Sequence, residues 1–519
     1  HQNFIKNKKL YLSYNPQFIC FKPVTFKKIN YKNILKYTNK IKFNNLDKEK
    51  KSNEIRYYFL IDFIEKRSDP DLILQKFIRL YNVDKSKLIF KNDIYSASER
   101  LSNIILFLSY FKHTNYKSEE IKKILILHIK QISENIEYHN DLTNNHILNN
   151  FRSLILASVF ISDQKLFKSS LLNLLNFYSL IFDKNGFIKE GSSHYQLLVH
   201  SWIEDIYFFC INNNFHKDKE TLISINRLSK YVTSLRSSSS LFLILYKRDE
   251  INIGDISPDL HPKFIINKIK NLYNINLSKV SNKHLSSNWA IFNKKKLQFI
   301  SGLSKSILTN KRSHCHNDMA SFVLFYNTYP IVTDLGRYDY TKSNISQYHY
   351  SSFSHNSIFV DKLSLYPHFF YRNFIPKKLF NKIIKTNSII RSHNGFKINS
   401  KGFNRYNLLS KFSRKFEIFD NYLKIEDQLT SFKTRKITLV YNLGKTLKLL
   451  SGENNKNMYS YNNKNKVIFD FSENSIPLNI VSKRTFLSQS YGNKIHVSKL
   501  IINFSLKGKM KFITKIKFI

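Results

Sequence analysis

The sequence predicts an α+β protein with a helical N-terminal half and an antiparallel β-sandwich, or pair of sheets, in its C-terminal half. Three observations carry that expectation. From about residue 54 to 235 apolar residues recur at intervals of three and four, the period of a helix with one buried face. After "RDEINIGDISPDLHPK" they gather instead in short runs rich in β-branched and aromatic residues, separated by Asn, Gly, Ser and Lys turns. At 519 residues the chain is too long for one small core and suits two or three domains.

Taken in order, residues 1–53 form an N-terminal extension with neither period. Residues 54–275 contain "NEIRYYFLIDFIEK", "SASERLSNIILFLSYF", "SEEIKKILILHIKQISENI", "NNHILNNFRSLILASVFI" and "DQKLFKSSLLNLLNFYSLIF". Short polar links join these stretches, so antiparallel helix pairs are expected. No repeat of fixed length is visible. The texture changes between about 250 and 285, and residues 276–519 read as strands: "NWAIFN", "KLQFIS", "SFVLFY", "PIVTD", "YLKIEDQL", "KITLVYNL", "KVIFDFS" and "KLIINFSL".

Bulk chemistry narrows the function classes. Lys and Arg number 83 against 37 Asp and Glu, giving a formal charge of +46. The positive residues are spread along the whole length among abundant Asn, Ile, Tyr and Phe, a bias that an AT-rich genome imposes without any selected partner. The field still favours approach of an anionic ligand. No nucleic-acid recognition signature is visible, and no nucleic-acid partner is expected. The three cysteines, Cys20, Cys210 and Cys315, are distant and odd in number, which leaves neither a disulfide framework nor a CxxC knuckle. No apolar run reaches the ~18 residues of a membrane span, and the start "HQNFIKNKKLYLSYN" lacks a signal-type apolar region. A first residue other than Met is expected of a fragment or a processed form.

Three polar stretches stand out. In "SHCHNDMASF", His314 and His316 are two apart, and on an extended segment both rings face one side. A hairpin through "NTYP" returns Asp334 towards His316, and His355 in "SSFSHNSIFVD" precedes another strand. The resulting His/Asp/His set suits a borderline metal such as zinc; the plain alternative is two surface histidines beside a strand-end aspartate. Asn145 and His146 open a predicted helix, whose start welcomes a carboxylate, or else Thr143, Asn144 or Asn145 is only the cap. Glu190, Ser192, His194 and Tyr195 lie at a turn entering an apolar helix. There Tyr195 is either a buried proton donor or one more core residue among 31 tyrosines.

In sequence order, an arginine-bearing "SASERLSNIILF" helix, Asn-His at a helix start, E-G-S-S-x-Y, HxHxD, a strand ending in Asp-x-Gly and "HNSIFVD" resemble the heparinase II/III-like polysaccharide lyases, with the related alginate and oligoalginate lyases. The resemblance covers roughly residues 50–365 through motifs. It implies an incomplete α/α toroid followed by an antiparallel β-sandwich, and β-elimination on a uronic-acid-containing acidic polysaccharide. It further implies that Asn145, helped by His146, holds the uronate carboxylate, that Tyr195 is the acid and possible base, and that His314 partners the proton transfer. Tyr338, Tyr340, Glu190 and Arg100 are the substrate-side candidates, with Glu190 and Arg100 also open to a structural reading. His316, Asp334 and His355 match the ligands of a structural zinc. Asp318 is expected to orient the strand or the ligands around it. "DLGRYDY" lacks the proline often found after the aspartate in that family. A periplasmic or cell-envelope setting in bacteria is implied, and the alternative function is an inactive acidic-glycan-binding or envelope-assembly protein. The joint presence of Asn145, Tyr195 and His314 favours the enzyme.

Overall fold

The computed structural model describes residues 56–519 apart from 65–68, 87–92, 112–118, 139–143, 214, 216–217, 278–282, 287, 304–313, 367–387, 454 and 463–464. The expected extension over 1–53 and the cap candidate Thr143 lie outside the described residues. Two compact units emerge, and no single cut divides them. The first comprises residues up to Ile188 with Gln196–Ser240 and Ser257–Ser278; the second comprises Lys189–Tyr195, Leu241–Ile256 and Lys279–Ile519.

The first unit is helical. Among the described residues it holds α1 (Pro70–Ser86), α2 (Ile94–Tyr110), α3 (Glu119–Glu134), α4 (Asn145–Phe160), α5 (Gln164–Ile181), most of α6 (Ser193–Ile211), α7 (Lys219–Ser240) and α8 (Pro262–Tyr273). Consecutive helices pack on one another, α2 on α3 and α4, α4 on α5. Caps fix their starts. Asp93 accepts from the Ser96 N–H, Asn144 from His146 and Asp163 from Leu166, each satisfying a donor that the first turn leaves unpaired. Asn144 is therefore the cap of α4, and Asn145 is its first helical residue, buried. The helices α2 and α4 are buried almost all round, so their polar residues must find partners inside.

They do so by pairing opposite charges. The Arg152 guanidinium lies 3.1 Å from Glu99 and 2.8 Å from Asp205, and Lys268 meets Asp205 at 2.7 Å. Arg100, a substrate-side candidate from the sequence, is 2 % exposed and its Nε donates to Nε2 of His128 at 3.0 Å. The α2 face bearing Arg100 turns into the helical core.

The second unit is a β-sandwich. One sheet runs β1 (Lys283–Leu285), β2 (Trp289–Asn293), β3 (Leu297–Gly302), β4 (Val323–Tyr326) and β5 (Tyr329–Val332) in sequence order. The other is built around β10 (Lys411–Ile418), β11 (Tyr422–Asn442) and β16 (Ile495–Phe518), flanked by β9 (Gly395–Ser400) and β14 (Lys466–Asp470). Every pairing among these is antiparallel. Phe292 and Phe299 of the first sheet and Phe396 and Phe416 of the second share one apolar core, the inner layer that makes two sheets a sandwich. "YLKIEDQL" and "KITLVYNL", read as separate strands, are one strand: the charged "SFKTRK" between them is a bulge where the β11–β16 register shifts between Ser431 and Arg435. The β4–β5 hairpin forms as expected, with Asn327 (φ 48°) and Thr328 (φ 67°) in the left-handed region that a two-residue turn needs.

Candidate active site

The polar cluster of the second unit is assembled from four stretches of chain. The turn Glu190–Ser192 leads into α6, where the Tyr195 N–H donates to the Ser192 hydroxyl at 3.1 Å and sets the first turn. The segment 253–256 runs beside it: the Ser193 N–H donates to the Ile253 carbonyl at 2.9 Å, and Ser192 Oγ donates to the Asp255 carbonyl at 2.7 Å. On its other side the Asp255 N–H donates to the His314 carbonyl at 2.8 Å. Gly254 makes this approach possible. Its φ is +80°, and a Cβ there would stand 2.7 Å from the carbonyl oxygens of both Gly191 and His314.

Five side chains meet within this frame. The Tyr195 ring stacks on the His314 imidazole, centroids 3.5 Å apart and planes 10° from parallel. His314 Nδ1 donates to Asp255 Oδ2 at 3.2 Å, and its Nε2 lies 3.2 Å from Glu190 Oε2. Carboxylates therefore hold both edges of the ring while the phenol covers a face. The Tyr195 hydroxyl approaches the Tyr340 hydroxyl at 3.5 Å, and Tyr340 donates to the Ile256 carbonyl at 3.0 Å, leaving its oxygen to accept from Tyr195. Burial, followed by the negative Asp255, pushes the Tyr340 phenol well above its ordinary value, so it is a protonated neighbour at any physiological pH. Of the two tyrosines left open by the sequence, Tyr340 reaches Tyr195. The Tyr338 ring lies under Lys494 at 4.6 Å.

The alternation expected of His314, Cys315 and His316 holds, although the segment is not a strand. Both histidines turn to Asp255, which accepts from His316 Nε2 at 3.0 Å. Cys315 turns the other way, into the apolar core, where its thiol donates to the Glu190 carbonyl. Burial alone would raise the Asp255 carboxyl; hydrogen bonds from His314 and His316 and the charge of Arg337 outweigh it and hold the group far below the usual carboxylate range. Asp255 and Arg337 were not singled out by the sequence. The glycine before Asp255 in "NIGDIS" was the available signal, since a turn glycine lets backbone approach closely.

Next to it lie the metal candidates. His316 and His355 are fully buried, with ring centroids 5.3 Å apart. His355 Nδ1 donates to Asp334 Oδ2 at 2.8 Å, and Asp334 Oδ1 accepts from the Gly336 N–H at 2.9 Å. One nitrogen on each ring, His316 Nδ1 and His355 Nε2, has no hydrogen-bond partner. Two orphaned imidazole nitrogens beside carboxylates are a donor set that suits zinc. With the side chains as they stand, no three His, Cys, Asp or Glu groups among the described residues converge on one point. Asp318 is also buried, and burial above all pushes its carboxyl up to about 7.

Asn145 and His146 belong to the helical unit. His146 is partly exposed, its Nδ1 paired with Glu137 at 2.9 Å and its ring 4.7 Å from that of Tyr95. Glu137 also accepts from the Asn150 amide at 3.1 Å, which ties the start of α4 into one polar group.

Comparisons with known proteins agree with this architecture. Residues 278–515 match the family model described as heparinase II/III-like, C-terminal. No curated protein matches the sequence. The solved structure of heparinase III superposes with a TM-score of 0.68 at 13 % identity, covering 92 % of this chain and 79 % of that one. A heparan sulfate lyase from Pedobacter heparinus gives 0.59 at 13 %, covering 90 % and 75 %. The chondroitin AC lyase of Streptomyces coelicolor A3, in complex with chondroitin sulphate, gives 0.50 at 8 %, covering 89 % and 74 %. At these identities the structural likeness is one of fold: helical toroid and antiparallel sandwich. Residues 278–515 are thus similar to the C-terminal region of the heparinase II/III-like family, and the fold is that of the heparinase and chondroitin lyase structures.

Proposed function

We propose that the protein cleaves a uronic-acid-containing acidic polysaccharide by β-elimination, with Tyr195 and His314 moving the protons. The stacked Tyr195–His314 pair carries this reading, because it sets a phenol and an imidazole, two groups able to exchange protons, side by side. The reaction removes the C5 proton of the uronate, breaks the C4–oxygen bond, forms a C4=C5 double bond and returns a proton to the departing oxygen. Water is not consumed. Removing the C5 proton needs the carboxylate to be neutralised. By the family resemblance that task falls to Asn145 with His146, and Glu190 and Tyr340 are substrate-side groups. The net charge of +46 favours encounter with such a polyanion. A periplasmic or envelope setting fits that substrate.

A structural zinc, by the same resemblance, would be held by His316, Asp334 and His355. When bound it would fix the segments on which His314 and Tyr340 sit. It is given no part in the proton transfer.

The deciding experiment incubates the protein and a Tyr195→Phe variant with a panel of uronic-acid polysaccharides and follows ultraviolet absorbance of the new conjugated double bond. Absorbance should rise with the native protein and fall by about 10²–10⁴-fold in rate with the variant. If a broad panel gives no signal and glycan binding persists, the protein only binds.

A further inference from the structure

We infer that Asp255 is a positioning residue for this elimination, one carboxylate that orients the rings of His314 and His316 together. The inference rests on the lyase reading above.

Each oxygen of Asp255 serves a different ring. Oδ2 accepts from His314 Nδ1 at 3.2 Å and Oδ1 from His316 Nε2 at 3.0 Å. Arg337 Nε stands 3.6 Å from Oδ1, so a fixed cation backs the carboxylate on the side facing His316. The backbone of Asp255 is itself held on both sides, by the Ser192 hydroxyl at its carbonyl and by the His314 carbonyl at its N–H. Gly254 admits no Cβ between those neighbours. The carboxylate therefore has little freedom, and it passes that restriction on to whatever it binds.

An imidazole stacked on a phenol can still spin within its plane or flip about its last torsion. A carboxylate on Nδ1 removes that freedom and directs Nε2 to the opposite side, here towards Glu190. The same oxygen pair fixes which nitrogen of His316 is turned to Asp255 and which is left over, Nδ1. Carboxylates that orient histidines in this way carry effects of about 10–100-fold when removed.

The test compares Asp255→Asn, which keeps the shape and loses the charge, with Asp255→Glu, in the full chain. On a substrate that the native protein cleaves, Asp255→Asn should lower kcat by about 10–100-fold with KM within about 2-fold, and Asp255→Glu should recover part of kcat. An unchanged kcat, or a loss confined to KM, would overturn the inference. A second readout does not need turnover. In protein labelled with ¹⁵N-histidine, with signals assigned through His314→Gln and His316→Gln, Asp255→Asn should shift the ring nitrogens of both histidines. A shift in neither or only one sinks the shared role. If the native protein is idle on every uronate glycan, the lyase reading fails, and the nitrogen signals still decide whether Asp255 orients the two rings.

Discussion

The buried ion pairs around Arg152 in the helical unit and the polar cluster around Asp255 in the sheet unit are arranged by opposite rules. Around Arg152 fixed charges meet fixed charges. Arg152 lies between Glu99 and Asp205, and Lys268 meets Asp205. In the sheet unit the carboxylates Glu190, Asp255 and Asp334 meet histidines, and a tyrosine stacks on one of them. Arginine keeps its proton at all working pH, whereas an imidazole gains and loses one near neutrality. The first arrangement holds helices together. The second can move protons.

The comparison breaks most visibly at Arg152, where the largest effect is expected. Arg152→Ala leaves Glu99 and Asp205 buried without their shared cation. Breaking a buried ion pair from one side costs about 3–5 kcal/mol, because the abandoned charge stays in the interior. Denaturant unfolding should register that loss. A change below 1 kcal/mol would mean that Lys268 alone compensates Asp205.

On the sheet side the orphaned nitrogens of His316 and His355 sharpen the comparison. The protein is expected to hold about one zinc per chain, measured by metal analysis after dialysis, and His355→Ala should abolish it. Chelation should lower thermal stability, by about 2.7 kcal/mol when the starting free zinc is about 100 times Kd. Equal melting with and without chelator, and no retained metal, would leave the two histidines as a hydrogen-bonded pair of supports.

How much of this was legible before the structure depends on how local each signal is. Glu190 and Tyr195 share one turn, and His314 and His316 share one alternation, so sequence spacing alone placed them on common elements. The hairpin bearing Asp334 was legible because Asn327 and Thr328 sit between two apolar runs. Asp255 was not, since 59 residues separate it from His314 and no period connects them. Arg100 was ambiguous for a related reason: α2 is buried almost all round, and a charged residue on such a helix looks the same in sequence whether it faces a ligand or a neighbouring helix. The bulge in β11 hid a long strand because its charged residues imitate a turn.

The smallest effect returns to the helical unit, at a histidine packed against an arginine. His128 is a titratable group facing a fixed cation. Its Nδ1 donates to the Ile124 carbonyl at 2.9 Å, so Nε2 accepts from Arg100, and the Tyr81 ring lies 5.6 Å away. Burial, reinforced by the Arg100 charge, lowers its pKa to about 3. The unfolded chain takes up this proton near the ordinary value of about 6.5, and the folded chain only near 3. Between those limits the unfolded state binds more protons, so stability rises with pH there and is lost as pH falls below about 6.5. From pH 6.5 to 5 the contribution of His128 to that loss is about 1.5 kcal/mol. In His128→Gln the amide oxygen can still accept from Arg100 while nothing titrates, so the variant should lose correspondingly less stability over the same interval. Parallel stability curves for the two proteins would show that His128 takes up its proton without unfolding, and that Arg100 yields when it does.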